Sequence, residues 1–143
     1  MARPSAFGEL IASLTQEHRE VENQIAELKK ALRARKYAKA AAIIPGFCDT
    51  LRQHIIDEEA RVLKLLIDVL GRDGATEAIE TFQQHRTIHN RIEDLEKIAA
   101  RTPGLLAPKV AELEDLLRDH LRREEQTIFP AALDAHRGTA RAE

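Results

Sequence analysis

Apolar residues in the first stretch of the chain fall at Phe7, Ile11, Leu14, Val21, Ile25, Leu28 and Leu32, and His18 completes an unbroken alternation of four- and three-residue steps. That spacing holds one stripe on one side of an α-helix. After the basic, small-residue run from Arg33 to Lys39, a second stripe follows at Phe47, Leu51, His54, Glu58, Val62, Leu65 and Val69. Pro45 is expected to kink the start of this helix or to set its first turn. Gly71 and Gly74 flank Arg72-Asp73, which reads as a helix stop and a new start. The third face carries Ile79, Phe82, His85, His89, Ile92 and Leu95, and Arg101-Thr102-Pro103-Gly104 ends it. The fourth carries Val110, Leu113, Leu117, His120, Glu124 and Ile128, with Pro108 suited to the first turn and Pro130 expected to close the helix.

Four amphipathic helices with short connections predict an all-α protein, an antiparallel up-down-up-down four-helix bundle. A chain of 143 residues fits a single domain over residues 1–143, with a core at about 5–132 and a polar C-terminal tail at 133–143. The 22 basic and 24 acidic side chains leave a net charge of -2, which removes the electrostatic case for nucleic acid or an anionic membrane as partner. Cys48 is the one cysteine, so an intrachain disulfide and a multi-thiolate zinc site are both excluded. The start of the chain lacks the apolar stretch of a secretory leader, and no apolar run reaches the length of about eighteen residues that a membrane span needs. A cytoplasmic protein is expected. The outer faces read as charged, without an apolar seam, and a monomer is the default.

Five of the six histidines, His18, His54, His85, His89 and His120, sit on stripes otherwise filled by Leu, Ile, Val and Phe. Residues at i and i+4 lie about 40° apart around a helix, so His54 with Glu58, His85 with His89, and His120 with Glu124 can each address one centre. A lone histidine on an apolar face is ordinarily a hydrogen-bonded core residue. Seven polar groups on four converging faces are different, because each left unsatisfied costs about 1–3 kcal/mol. Their sum rivals the stability of a whole domain, about 5–15 kcal/mol. Mutual His–Glu hydrogen bonding is the metal-free alternative; metal ligation satisfies all seven together. Imidazole and carboxylate without sulfur suit iron, manganese or zinc rather than magnesium or calcium. Two octahedral ions offer about twelve positions, of which five imidazoles, two bridging carboxylates and one bridging oxygen fill about eleven. The ferritin-like alternative needs Glu-x-x-His, and no Glu lies three residues before any His here.

From Leu14 to Ala132 these residues resemble the hemerythrin-like, or HHE cation-binding, domains, and the Glu-Glu-x-x-x-Phe-Pro run at Glu124 to Pro130 is particularly typical. The resemblance implies two iron ions with a bridging oxo or hydroxo group, although zinc or manganese could occupy a purified sample. It implies that His18 and His54 ligate the iron with a vacancy, that His85, His89 and His120 ligate the filled one, and that Glu58 and Glu124 bridge. Carriage, storage or sensing of dioxygen is the implied role, with the ligand passing apolar walls such as Leu14, Ile55 and Leu117. An enzyme acting on hydrogen peroxide or nitric oxide, or an iron-handling or regulatory module, is the alternative. The chain departs from the family in two places: Glu58-Glu59-Ala-Arg-Val-Leu-Lys lacks the usual proline, and both carboxylates are Glu where the worm oxygen carriers use one Asp. Glu59 and Glu125 are thereby the alternative ligands, but at about 140° from the histidines they read as solvent-facing or supporting groups.

His136, beyond Pro130, reads as part of a frayed terminus rather than as a ligand. Tyr37 reads as a surface-turn residue, and Cys48 as buried packing rather than a reactive thiol. Arg33-Ala-Arg-Lys reads as the positive charge that suits a helix C-terminus.

Overall fold

A computed structural model describes residues 6–142, with side chains described through Gly138, and every regular element among these residues is helical. Four rods form the molecule. The first is the helix Ala6–Arg33. The second, residues 37–70, joins the α-helix Tyr37–Asp57, a π-helical turn Glu58–Leu63 and the α-helix Lys64–Leu70. The third is the continuous α-helix Arg72–Arg101. After a 3-10 turn at Pro103–Leu105, the fourth runs over residues 106–142 as Leu106–Arg123, a π-helical turn Glu124–Ile128, and Phe129–Ala142. Among the described residues, no helix is long and apolar enough to cross a membrane.

The first rod ends in a Schellman-type turn: Lys36 N–H donates to the Ala31 carbonyl and Arg35 N–H to the Leu32 carbonyl, with Arg35 at φ 58°. This is the position where glycine is usual. Gly71, at φ 60°, performs the next reversal alone, and Gly74 packs so closely that a Cβ there would sit 2.1 Å from the Leu66 carbonyl oxygen. Glycine is required at residue 74 by space and at residue 71 by conformation.

The core consists of two apolar clusters. The larger takes Val21, Ile25 and Leu28 from the first rod, Ile44, Phe47 and Leu51 from the second, Ile88, Ile92 and Leu95 from the third, and Val110, Leu113 and Leu117 from the fourth. The smaller takes Ile11 and Leu14, Val62, Leu63 and Leu66, Ala78, and Ile128, Phe129 and Ala132. The buried histidines and glutamates are His18 on the first rod, His54 and Glu58 on the second, His85 on the third, and His120 and Glu124 on the fourth.

Several stripes differ from their expected course. In the second rod, Leu66 is buried, Leu65 only half-buried and Val69 exposed. A π turn takes up one residue more than an α turn, so the stripe beyond it shifts by one position. In the third helix the buried line is Ala78, Thr81, His85, Ile88, Ile92 and Leu95, which leaves Ile79 and Phe82 exposed. With Ile67 and Leu70 they give the outer surface apolar residues that a uniformly charged exterior would lack. Pro45 lies inside the helix that begins at Tyr37 instead of setting its start. Pro130 does not close the fourth rod; it is the second residue of Phe129–Ala142, directly after the π turn. His136 is therefore not part of a frayed end. It is half-buried, and its ring stacks on Phe7 with centroids 4.8 Å apart.

Candidate metal centre

The π turns start at Glu58 and Glu124, each four residues beyond a histidine on the same rod. In a uniform α-helix a four-residue step overshoots one turn by about 40°, so three successive steps drift by about 120°. Yet His54, Glu58, Val62 and Leu66 are all buried, and so are His120, Glu124, Ile128 and Ala132. The widened turn absorbs the drift and lets one line of residues carry the histidine, the carboxylate and the apolar groups beneath them.

Six donors meet in this layer. One group comprises His18, His54, Glu58 and Glu124; the other comprises Glu58, His85, His120 and Glu124; within each, the ligating atoms lie within 4.8 Å of one another. Glu58 spans the two, with Oε2 3.0 Å from His54 Nε2 and Oε1 3.0 Å from His85 Nε2. Glu124 Oε1 lies 3.2 Å from His18 Nε2 and 3.3 Å from His120 Nε2. All six side chains are at most 3 % exposed.

The outward ring nitrogens define the tautomers. His54 Nδ1 donates to Glu17 Oε1 at 3.0 Å, His85 Nδ1 to Glu59 Oε2 at 2.9 Å, and His120 Nδ1 to Gln84 Oε1 at 2.6 Å. His18 Nδ1, 3.5 Å from Glu125 Oε1, has no hydrogen-bond partner. Because an ionised carboxylate or an amide oxygen only accepts, the hydrogen on His54, His85 and His120 resides on Nδ1 and their Nε2 atoms face inward. His18 Nε2 and His54 Nε2 stand 3.1 Å apart, a contact that one shared proton or a cation satisfies. Glu58 Oε2, His120 Nε2 and Glu124 Oε1 are buried without a hydrogen-bond partner. Buried orphan acceptors converging on one point are what a cation satisfies, so the residues present fit a metal site.

In the metal-free protein the protons compensate in part. Burial opposes charge on His54, but the Glu124 and Glu58 carboxylates outweigh it and hold the imidazolium up to about 11. Burial likewise disfavours a charged His85, while Glu58 and Glu59 raise it. Glu58 is penalised by burial, yet hydrogen bonding to Glu124 and to His54 and His85 keeps its carboxyl well below the usual range. His120 goes the other way: burial outweighs the pull of Glu124 and lowers it to about 4.

A family model, the hemerythrin HHE cation-binding domain, matches residues 9–132. The chain belongs to the hemerythrin family. Neither the curated proteins nor the solved structures compared with it give a match. For a hemerythrin domain of this sequence, the structure brings together six of the seven expected donors, His18, His54, Glu58, His85, His120 and Glu124, and leaves out His89. On the third helix the buried line steps from His85 to Ile88 and Ile92, and His89 lies beside that line. His89 is half-buried and lines a groove of about 360 Å³ with Glu59, Phe82, His85, Arg86 and Asn90. Glu59 and Glu125 stand behind His85 and His18 instead of inside the centre. Sequence reasoning did not find Glu17 and Gln84. Each lies one residue before a histidine, but only the relative rotation of two helices shows that Glu17 backs His54 and Gln84 backs His120.

Proposed function

We propose that this hemerythrin domain binds two iron ions, one held by His18, His54, Glu58 and Glu124 and the other by Glu58, His85, His120 and Glu124. The observation that carries the reading is the pair of buried donor groups that share two carboxylates. Iron bound there supplies an electron-rich centre for a small ligand, dioxygen first among the candidates, and the role is carriage, storage or sensing. The protein contributes orientation and exclusion of water. Nδ1 acceptors fix the rings of His54, His85 and His120, Glu58 and Glu124 tie the two positions together, and Leu14, Ile55 and Leu117, each at most 2 % exposed, wall the layer with hydrocarbon. A groove lined by His85 and His89 opens beside the layer. An antiparallel up-down-up-down order belongs to the same reading: the start of the first rod clusters with the end of the second, the start of the third and the end of the fourth. A cytoplasmic site of action fits the single buried Cys48, which has no disulfide partner.

Anaerobic reconstitution with ferrous iron, followed by visible spectroscopy through cycles of oxygenation and deoxygenation, tests this function. A reversible band with two irons per chain is the expected result. Sustained consumption of hydrogen peroxide or nitric oxide in parallel samples would replace ligand binding with catalysis, and absence of bound iron would overturn the reading.

A further inference from the structure

The net charge of -2 averages over a strong separation. Residues 28–48 and 97–111 hold nine of the 22 basic side chains and none of the 24 acidic ones. These two stretches meet at one end of the molecule. Leu32 and Arg33 from the first rod line one cavity with Ala107 and Ala111 from the fourth, and Leu32, Ala40 and Leu106 share one apolar cluster. The 3-10 turn Pro103–Leu105 packs against the helix that begins at Tyr37. The turn after the first rod and the turn after the third therefore stand side by side.

Lys30, Arg33, Arg35, Lys36 and Lys39 are exposed around the first of these turns, and Lys97 and Arg101 are exposed at the end of the third helix. Lys29 and Lys109 pair with Glu114 and Glu112, whereas the other seven make no ion pair among the described residues. A cavity of about 310 Å³ brings Lys30, Lys36 and Lys39 together with Ala31, Ala34 and one acid, Glu27. Charges screen one another over about 8 Å at physiological ionic strength. The first rod, with 28 residues, is about 42 Å long. The acidic excess is spread over the rest of that length and does not neutralise this end.

Cations alone suit any polyanion, and the apolar residues among them select the partner. Leu105, at 62 %, is the most exposed large apolar side chain among the described residues and lies on the second turn; Tyr37, 37 % exposed, opens the helix after the first. An apolar tip and an aromatic ring set among lysines and arginines match a lipid surface, where rings sit at headgroup level and cations meet the lipid charge. A nucleic acid is read by a helix or ribbon laid in a groove, or by a platform of aromatic rings; this end offers two turns and one tyrosine.

We infer that this end is a docking surface for an anionic bilayer, on which the bundle adsorbs end-on with Leu105 and Tyr37 at headgroup level and the seven unpaired cations against the lipid charge. The contact is peripheral, needs no spanning segment, and does not rest on the metal reading above.

Co-sedimentation of the intact chain with vesicles tests it. At about 0.1 M salt the chain should sediment with phosphatidylcholine vesicles that contain about one-third phosphatidylserine and stay in solution with phosphatidylcholine alone; about 1 M salt should release it. Lys36→Glu combined with Lys39→Glu should lower partitioning by more than about tenfold, since each basic residue near such a surface contributes roughly fivefold. Lys64→Glu combined with Arg72→Glu makes the same change of net charge beside the smaller cluster and should leave partitioning within about twofold of wild type. Leu105→Ser should weaken binding at every salt concentration. All five substituted residues are exposed, and circular dichroism of the variants should match wild type, which separates an effect on docking from an effect on folding. No sedimentation with the anionic vesicles, or equal loss from both pairs of charge reversals, would overturn the inference. Retardation of duplex DNA or RNA without vesicle binding would also overturn it and assign the surface to nucleic acid.

Discussion

At the scale of single residues, the histidines differ by what surrounds them, and their substitution should separate accordingly. His54 touches Glu58, His18 and Glu17 inside the layer, whereas His136 stacks on Phe7 away from it. His54→Ala should abolish retention of the metal pair and His136→Ala should leave it intact, as metal analysis after gel filtration will show; equal content would contradict the assignment. Gly74 has no room for a methyl group because the Leu66 carbonyl stands in its place. Gly74→Ala should therefore destabilise the fold by about 1–3 kcal/mol in chemical denaturation. Cys48 is fully buried, and burial, with Glu96 adding to it, pushes its thiol up to about 12. Its alkylation should be slow in the native state and fast in denaturant. Much of this scale was legible in the sequence, since six of the seven expected donors share one layer and the buried packing role of Cys48 stands. The position of His89 beside the buried line was not legible, because i+4 spacing fixes an angle along one helix and not which flank of that helix the neighbouring rods cover.

At the scale of the element, the two π turns connect sequence to site. They follow directly on the His-x3-Glu steps of the second and fourth rods and keep Val62 and Leu66, and Ile128 and Ala132, on the buried line beyond the carboxylates. Periodicity assumes one pitch along a helix, so it located the second stripe through Val62 and misphased it beyond, where Leu66 is buried in place of Leu65. The buried four-residue steps from His54 to Leu66 and from His120 to Ala132 were the available signal. The continuation of the fourth rod past Pro130 was missed because a proline reads as a helix stop, whereas Pro130 is the second residue of the segment after the π turn and Pro45 likewise lies inside a helix. At the first turn, Arg35 occupies a left-handed conformation that disfavours a side chain. Arg35→Gly should raise stability by about 1 kcal/mol, measured by denaturant midpoint; a loss of stability would show that the arginine makes a compensating contact.

At the scale of the whole molecule, the polar layer couples folding, protons and metal. In the metal-free protein His54 is raised from 6.5 to about 11, so its contribution is complete below 6.5 and is lost as pH rises through the folded value. His85 is shifted in the same direction. Glu58 is depressed, so its contribution is present above 4.5 and lost as pH falls through its folded value. His120, lowered to about 4, opposes the other histidines by resisting protonation between that value and 6.5. The metal-free fold should then weaken from neutral toward alkaline pH, while ligation, which needs unprotonated Nε2 atoms, strengthens over the same range. Thermal unfolding of loaded and metal-free protein should give similar midpoints near about pH 5 and a widening gap by about pH 8. A gap that narrows with rising pH would contradict the coupling.

The account depends on four imidazoles and two carboxylates enclosing a pair of cations between two apolar clusters. Anomalous diffraction at the iron edge, from crystals of the iron-loaded chain, addresses it directly. Two peaks are predicted, one among His18, His54, Glu58 and Glu124 and the other among Glu58, His85, His120 and Glu124. No peak in that layer, or iron bound only elsewhere on the molecule, would contradict it.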